Sequence, residues 1–267
     1  MRVTRPLAID AREPLDPIDR MTLEEYLPQV KVDKVHVLIV IPAYNEAEAL
    51  PSVLRSMPAA LDGVAPTILV VSDGSTDHTR EVALANGALC CETPINRGQG
   101  AALRLGYLVA LRLGATYIGV IDADGQWAPE GLATGLEYLV TGRADFVQGS
   151  RVLGSTDVGD PVRDLGVTVF ATLISGLTGV KVTDTSSGLR LFSAALAGRL
   201  RLDQPQYQSS ELLIAAAFGG ARIHEFPVTM TKRVAGHSKK ATNVLYGLYY
   251  LRAALRTYAR ERWIAPL

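Results

Sequence analysis

Residues 35–41 read Val-His-Val-Leu-Ile-Val-Ile, and this run decides the fold. Apart from His36, every side chain in it is apolar, and most are β-branched. Such a run is typical of a strand that is buried on both faces of a parallel sheet. A sheet buried on both faces needs helices on both sides, so the rest of the chain should alternate between strands and helices.

The chain does show this alternation. We predict further strands at 67–71, 88–92, 117–121, 145–148, 188–192 and 222–228, and helices at 47–57, 77–85, 100–113, 129–141, 165–177 and 211–218. Residues 152–162 are rich in Gly, Ser, Thr, Asp and Pro, which predicts a loop. Strand–helix alternation implies right-handed crossovers, so we predict an α/β fold with a mostly parallel central sheet flanked by helices.

The two ends of the chain differ from this core. Residues 1–34 are rich in Pro, Asp, Glu and Arg and are interpreted as an extension that wraps the surface or is partly disordered, with a short helix at 23–27. Residues 35–240 form the main domain, and 241–267 are predicted to contain an amphipathic helix. That helix could lie in a membrane interface, or pack on its own domain or a second subunit. No secretory signal or membrane span is expected, because no apolar run is long enough.

Composition narrows the classes of partner. The 27 basic and 27 acidic residues cancel, so no overall field draws the chain to nucleic acid, and an anionic ligand needs a local site. The two cysteines, Cys90 and Cys91, are adjacent and give no disulfide framework, which favours a reducing, cytoplasmic setting. The four histidines are scattered and predict no metal cluster.

Polar clusters follow several predicted strands. Residues 42–46 follow the first, 72–77 the second and 122–126 the fourth. Ligands of open α/β sheets bind outside the carboxyl ends of the strands, so we predict a binding site at this edge. Asp77 has a second interpretation, as a cap of the following helix.

Asp122-Ala123-Asp124-Gly125-Gln126 is the candidate metal site. Two carboxylates one residue apart can both reach a hard cation, and Mg²⁺ or Mn²⁺ commonly shares few protein oxygens with substrate phosphates. An ordinary turn is the alternative, because Asp and Gly are common turn residues.

Three other features have two interpretations each. Residues 96–100 resemble a dinucleotide-binding fingerprint, but the third glycine position is Leu103, which argues against a dehydrogenase. Glu211 is a candidate general base or an ordinary first-turn helix glutamate. The basic stretch 233–240 is a lid that grips phosphate or a solvated loop.

The motifs together resemble a known family. Ile-Pro-Ala-Tyr-Asn-Glu (41–46), Asp-Gly-Ser-Thr-Asp (73–77), Asn-Arg-Gly (96–98), Asp-Ala-Asp-Gly-Gln (122–126) and Gly-Ser-Arg (149–151) resemble, in order, those of glycosyltransferase family 2 with the GT-A fold. Residues 184–190 and 233–239 further resemble the dolichyl-phosphate mannose synthase branch, which includes bacterial polyprenyl-phosphate sugar transferases.

The resemblance implies roles for individual residues. The nucleotide would be held by Pro42, Ala43, Tyr44, Glu46, Asp73 and Asp122, and the metal by Asp122, Asp124 and Gln126. Arg151 and Arg163 would meet an acceptor phosphate, while Arg233 and Lys239 would close over the diphosphate. Together with Glu211, the residues Asp124, Arg151, Arg233 and Lys239 form the candidate catalytic set. Ser72 stands where the family often has a second aspartate, which leaves the base preference open.

The expected activity is that of a metal-dependent, inverting hexosyltransferase. The donor would be a UDP- or GDP-sugar, the cofactor Mg²⁺ or Mn²⁺, and the acceptor a polyprenyl monophosphate. A soluble hydroxyl acceptor, such as a secondary metabolite, and a non-catalytic nucleotide-sugar-binding protein are the alternatives. Peripheral contact with the membrane and a homo-oligomer are left open by the sequence.

Overall fold

The protein is an α/β fold built on one seven-stranded sheet. The computed structural model describes residues 15–33, 35–159, 161–234 and 244–264. Its strands are β1 (Val37–Ala43), β2 (Thr67–Asp73), β3 (Leu89–Thr93), β4 (Tyr117–Val120), β5 (Phe146–Thr156), β6 (Arg190–Ser193) and β7 (Ile223–Met230). Its α-helices are α1 (Pro17–Tyr26), α2 (Leu50–Arg55), α3 (Thr79–Ala85), α4 (Gln99–Arg112), α5 (Gly131–Val140), α6 (Pro161–Thr178), α7 (Ala194–Ala197), α8 (Gln208–Phe218) and α9 (Val244–Ala259).

Strand β1 shows why its sequence is apolar throughout. All seven of its residues are buried. Leu38 and Val40 belong to the core that also holds α4 and α8, while Ile39 and Ile41 belong to the core that holds α2 and α5. Successive side chains of a strand point to opposite faces, so both faces of this sheet are covered, as predicted.

The strand order creates a switch point beside β1. The order is β3-β2-β1-β4-β6-β5-β7, so β2 lies on one side of β1 and β4 on the other. Within the described residues β6 alone runs antiparallel, to both β4 and β5. The prediction of a mostly parallel sheet flanked by helices is therefore confirmed.

The sequence misjudged the length of two elements. Residues 152–156, predicted as loop, continue β5, because Ser155 and Thr156 resume pairing with β7 after a register shift. The extension holds a longer helix than the predicted 23–27, since Asp16 caps the backbone N–H groups of Ile18 and Asp19, and Pro17 occupies a first-turn position.

The C-terminal helix α9 packs on α6 and α8 and continues as a π-helical turn over Arg260–Ile264. Tyr250, Ala253, Ala254 and Thr257 are buried in this packing, which favours the interpretation that the helix rests on its own chain. Within the described residues, none of the helices combines the length and the apolar character that crossing a bilayer requires. Cys90 and Cys91 are buried and unbridged, in agreement with the expectation.

Candidate active site

The candidate site lies where β1 and β4 end. These strands pair in parallel with Val40 opposite Val120, so the chain leaves the sheet at the same edge after each of them. It then passes through residues 44–46 after β1 and 122–126 after β4. The carboxyl edge beside a switch point is where open α/β sheets bind ligands. The fold thus brings two of the predicted polar clusters together.

The turn after β1 is fixed by the turn after β2. The Glu46 backbone N–H donates to Thr79 Oγ1 (2.9 Å), and the Ala47 N–H donates to Asp77 Oδ2 (3.1 Å). The N-cap position of α3 is His78, and Asp77 precedes it. Asp77 Oδ1 nevertheless accepts from the Thr79 backbone N–H (3.0 Å) at the first residue of the helix, so Asp77 satisfies a backbone donor there from one position further out than the cap interpretation expected. Pro42 and Ala43 lie in the last two ladder positions of β1, and their contact with a nucleotide stays a prediction, as does that of half-buried Tyr44.

The Asp122–Gln126 segment forms the turn that was one of its two interpretations, and the metal interpretation stays a prediction. Asp124 Oδ1 accepts from the Gln126 backbone N–H at 3.1 Å, which is an ordinary turn contact. Asp122 Oδ1 accepts from Gln99 Nε2 at 2.8 Å, and the backbone of Gly188 lies so close to Asp122 that a Cβ atom there would collide with its carboxylate. The turn therefore holds both carboxylates in place at the end of β4.

Arg233 joins this turn to the turn after β1. Its Nη2 lies 3.0 Å from Glu46 Oε1 and 3.4 Å from Asp124 Oδ2. The segment that carries it is bound to the same turn by Thr231, whose N–H donates to the Gln126 carbonyl (2.9 Å) and whose own carbonyl accepts from Gln126 Nε2 (3.1 Å). Three residues predicted separately thus meet at one point. Lys239 lies outside the described residues.

These groups suit a metal ion that is shared with a ligand. Across the described ranges, 15–33, 35–159, 161–234 and 244–264, no three His, Cys, Asp or Glu side chains cluster closely enough to hold a metal by themselves. Mg²⁺ and Mn²⁺ are typically bound by one or two carboxylates that are completed by substrate phosphates. Asp122 and Asp124 are the candidates for such a pair, and their role as metal ligands stays a prediction. Gln126 is buried, and its role as a third ligand stays a prediction.

Asp73 is more enclosed than the sequence suggested. Only 2% of it is exposed, and its carboxylate accepts from the backbone N–H groups of Arg97 (3.0 and 3.1 Å) and Gly98 (2.6 Å). Burial raises the pKa of this carboxyl, while the two amides and Thr93 oppose the increase. Asp73 therefore holds the loop before α4, and its contact with a base or ribose stays a prediction.

Arg151 is not a free cation. Its side chain is 3% exposed and forms a double ion pair with Asp184, with Nε 2.7 Å from Oδ2 and Nη2 3.0 Å from Oδ1. Asp184 in turn belongs to a loop that Glu225 clamps, by accepting from the backbone N–H groups of Thr183 (2.7 Å) and Asp184 (3.1 Å). No role was predicted for Asp184, although a recognised motif contains it, and no sequence signal pointed to Glu225 inside its strand.

Glu211 and Arg163 complete the predicted set. Glu211 is fully buried, and it accepts from the backbone N–H groups of Asp203 (2.7 Å) and Gln204 (2.9 Å) and from Arg260 Nη1 (2.8 Å). These contacts favour a structural role over that of a general base. Glu211 does lie in the first turn of α8, as the alternative interpretation supposed, but it is buried and paired rather than solvent-exposed. Arg163 belongs to the first turn of α6, and its side chain lies outside the described part of the chain.

Comparisons with known proteins agree with this geometry. Residues 38–200 match the family described as Glycosyl transferase family 2. Polyprenol monophosphomannose synthase of Mycolicibacterium smegmatis is 35% identical over 214 residues, covering 76% of this chain and 80% of that protein. Dolichyl-phosphate hexose transferase of Haloferax volcanii is 32% identical over 201 residues, covering 75% and 85%.

The fold has solved counterparts. Glucosyl-3-phosphoglycerate synthase of Mycobacterium tuberculosis, in complex with Mn²⁺ and UDP-glucose, superposes with a TM-score of 0.67 at 21% identity, covering 93% of this chain and 85% of that one. The match of the family over most of the sheet, together with relatives that transfer sugars to polyprenyl phosphates, leads to one conclusion. The chain belongs to glycosyltransferase family 2 and has the GT-A fold.

Proposed function

We propose that this protein transfers a hexose, with inversion, from a UDP- or GDP-sugar to a polyprenyl monophosphate. The observation that carries the proposal is the meeting of Glu46, Asp124 and Arg233 at the switch point. A cation between two carboxylates can exchange partners, because an arriving diphosphate attracts the guanidinium as strongly as the carboxylates do. In this proposal, Arg233 exchanges these carboxylates for the diphosphate when the donor binds.

On the donor side, Asp122 and Asp124 would hold Mg²⁺ or Mn²⁺, with Gln126 as a further ligand. The metal would neutralise the charge that develops on the departing nucleoside diphosphate. Arg233, with Lys239 on the same segment, would neutralise the rest. Glu46, Tyr44 and the end of β1, with Asp73, would hold the nucleoside. The Mn²⁺ and UDP-glucose bound by the synthase of the same fold support this arrangement by analogy.

On the acceptor side, a phosphate is the nucleophile that fits best. A phosphate is already ionised at neutral pH, whereas a hydroxyl needs a base to remove its proton. Glu211 is the base candidate of the sequence, and its carboxylate is occupied by two backbone amides and Arg260. Arg151 is neutralised by Asp184. We therefore assign to Arg163 the main role in binding the charge of the acceptor phosphate, and to Arg151 the positioning of the surrounding loop.

A polyprenyl acceptor sits in a bilayer, so the reaction would take place at the cytoplasmic membrane surface. Helix α9 supports this, because it exposes Leu248, Tyr249 and Leu255 beside basic residues. Apolar and aromatic side chains next to arginines are typical of helices that lie in a membrane interface. The contact would be peripheral, and the number of subunits is left open.

A turnover assay tests the proposal. UDP- and GDP-hexoses are supplied in turn, with and without Mn²⁺, together with either a polyprenyl phosphate or a soluble alcohol. We expect metal-dependent transfer to the polyprenyl phosphate. Transfer to the alcohol alone would support the soluble-acceptor alternative, and donor binding without any transfer would support a non-catalytic binding protein.

A further inference from the structure

Helix α1 lies outside the residues that match the family, yet it carries a buried carboxylate. Asp19 is fully buried, with Oδ1 2.7 Å from Arg97 Nη2 and Oδ2 2.7 Å from Arg104 Nε. Asp16, which caps the helix, lies 2.9 Å from Arg97 Nη1. Two carboxylates of one helix therefore hold the guanidinium of Arg97, whose side chain is 10% exposed.

Burying the Asp19 carboxylate destabilises the folded state unless both of its oxygens are paired. Removing a carboxylate from water costs several kcal/mol, which only close ion pairs and hydrogen bonds offset. A helix that served only to cover the core could do so with an apolar side chain at this position, as Leu23 does one turn later. The charges of α1 are instead matched to two arginines, one in the loop before α4 and one within α4.

The loop that contains Arg97 links two residues of the proposed donor site, Asp73 and Asp122. The backbone N–H of Arg97 donates to the Asp73 carboxylate, and the next residue but one, Gln99, donates to Asp122. The loop also lies against the turn after β2, where a Cβ atom on Gly74, whose φ is +65°, would collide with the backbone of Asn96. Any shift of this loop therefore moves Asp73 relative to Asp122.

We propose that α1 is a positioning element of the donor site, in which Asp19 acts through Arg97 to hold the loop that sets Asp73 for the nucleoside. The inference rests on the proposed function, because it assumes that Asp73 faces a bound nucleotide. Both carboxylate oxygens of Asp19 are bound by arginines, Arg97 and Arg104, so Asp19 would act as a positioning residue. Residues of α1, which lie outside the family match, would then contribute to the affinity for the donor.

The same carboxylate offers a matched control. Arg104 binds the second oxygen of Asp19 from within α4, one turn after the loop has ended. Replacing Arg104 loosens α1 but leaves the contact between Asp19 and Arg97. A purely structural role for α1 predicts equal effects of the two arginines on donor affinity, and a positioning role predicts that Arg97 matters much more.

The test is calorimetric binding of UDP and of GDP, each with Mn²⁺, to the full chain. We expect Asp19→Asn and Arg97→Lys to raise the dissociation constant of the preferred nucleotide about ten- to a hundredfold, with unchanged stoichiometry, as is usual for residues that orient a ligand's direct contacts. Arg104→Gln should change it by less than about threefold on the same reasoning. Arg97→Lys keeps the charge but loses the double contact, so it remains informative if Asp19→Asn fails to fold.

A coupling measurement shows whether Asp19 acts through Asp73. In an Asp73→Asn background, Asp19→Asn should weaken binding by less than about threefold, because residues in one network are not additive. Equal effects of Arg104→Gln and Arg97→Lys, or unchanged affinity in Asp19→Asn, would overturn the inference while the proposed function stands. If the wild-type chain binds neither UDP nor GDP, the proposed function falls and the inference falls with it.

Discussion

Two groups of charged residues in the candidate site differ in their exposure. Under the proposed function, Glu46, Asp124 and Arg233 form the donor half of the site, and Arg151 and Asp184 form the acceptor half. In the donor half, Glu46, Asp124 and Arg233 have side chains that are 13%, 15% and 19% exposed. In the acceptor half, Arg151 and Asp184 are 3% and 0% exposed and neutralise each other. Partly exposed charges can exchange a protein partner for a ligand, whereas a buried complete pair is costly to open. The donor half is therefore suited to bind an ionic ligand, and the acceptor half to maintain a shape.

The largest expected effect belongs to the donor half. Asp124→Ala should reduce turnover on the order of a thousandfold or more, because it would remove a proposed metal ligand from the point where charge develops. Stability should change little, since a partly exposed strand-end carboxylate adds little to the core. Glu130→Ala is the control, because it removes an exposed carboxylate nearby that forms no capping bond. Full activity of Asp124→Ala, or of the wild type in excess EDTA, would contradict the metal site.

In the acceptor half the largest effect should be on stability. Arg151→Ala leaves Asp184 buried without its counter-ion, which should lower the free energy of unfolding by about 3–5 kcal/mol. The double change Arg151→Leu with Asp184→Leu should recover much of this, because it leaves no unpaired charge. Denaturant unfolding measures both. If Arg151→Ala is as stable as the wild type, the two halves do not differ as described.

Variants of Arg151 and Glu211 also distinguish a phosphate acceptor from a hydroxyl acceptor. Per folded molecule, Arg151→Ala should reduce transfer to a polyprenyl phosphate more than Glu211→Gln does, because an ionised phosphate needs positioning but no base. Loss of a general base typically costs about a hundred- to ten-thousandfold. A collapse of transfer in Glu211→Gln beside near-normal transfer in Arg151→Ala would replace the polyprenyl phosphate by a hydroxyl acceptor.

Arg233 tests the exchange of partners in the donor half. Arg233→Ala, and likewise Lys239→Ala, should lose contacts worth about 1.5–3 kcal/mol each, which corresponds to roughly ten- to 150-fold in turnover. Binding of the free nucleoside should persist. Arg143→Ala is the control, because it removes an exposed arginine that pairs with Glu137 on α5. Normal turnover in both variants would make the segment an ordinary basic loop.

The smallest effect is expected from an exposed ion pair outside the candidate site, between Asp145 and Arg222 just before β5 and β7 begin. Hydrogen bonds from Arg222 lower the pKa of Asp145 below its ordinary 3.8. The folded carboxyl thus loses its proton more readily than the unfolded one, so the pair adds stability above about pH 3.8 that fades as the pH falls through the folded pKa. Asp145→Asn should be slightly less stable than the wild type at pH 7, and the difference should shrink as the pH falls below 3.8. If Asp145→Asn lowered the free energy of unfolding as much as Arg151→Ala does, burial would not be the property that distinguishes the two ion pairs.

Most of the donor half could be predicted from the sequence. The buried run at 35–41 predicts β1, and the polar residues after β1 and β4 meet because neighbouring parallel strands end at one edge. The prediction that residues 233–240 bind phosphate singled out Arg233, whose Nη2 lies 3.4 Å from Asp124 Oδ2. These inferences succeed because each depends on a local pattern and one rule of sheet geometry.

What only the tertiary structure decided is which buried charge meets which. Asp19 pairs with Arg97 across 78 positions of the chain, Arg151 with Asp184 across 33, and Glu211 with Arg260 across 49. The sequence by itself determined the α/β alternation, the strand ends and the family, because apolar periodicity and short motifs are local. It left α1 as a surface extension and Glu211 undecided between a general base and a first-turn glutamate. The partner of an ionised side chain is set by the packing of distant elements, and the residue type of a carboxylate is the same whether it binds a ligand or a buried arginine.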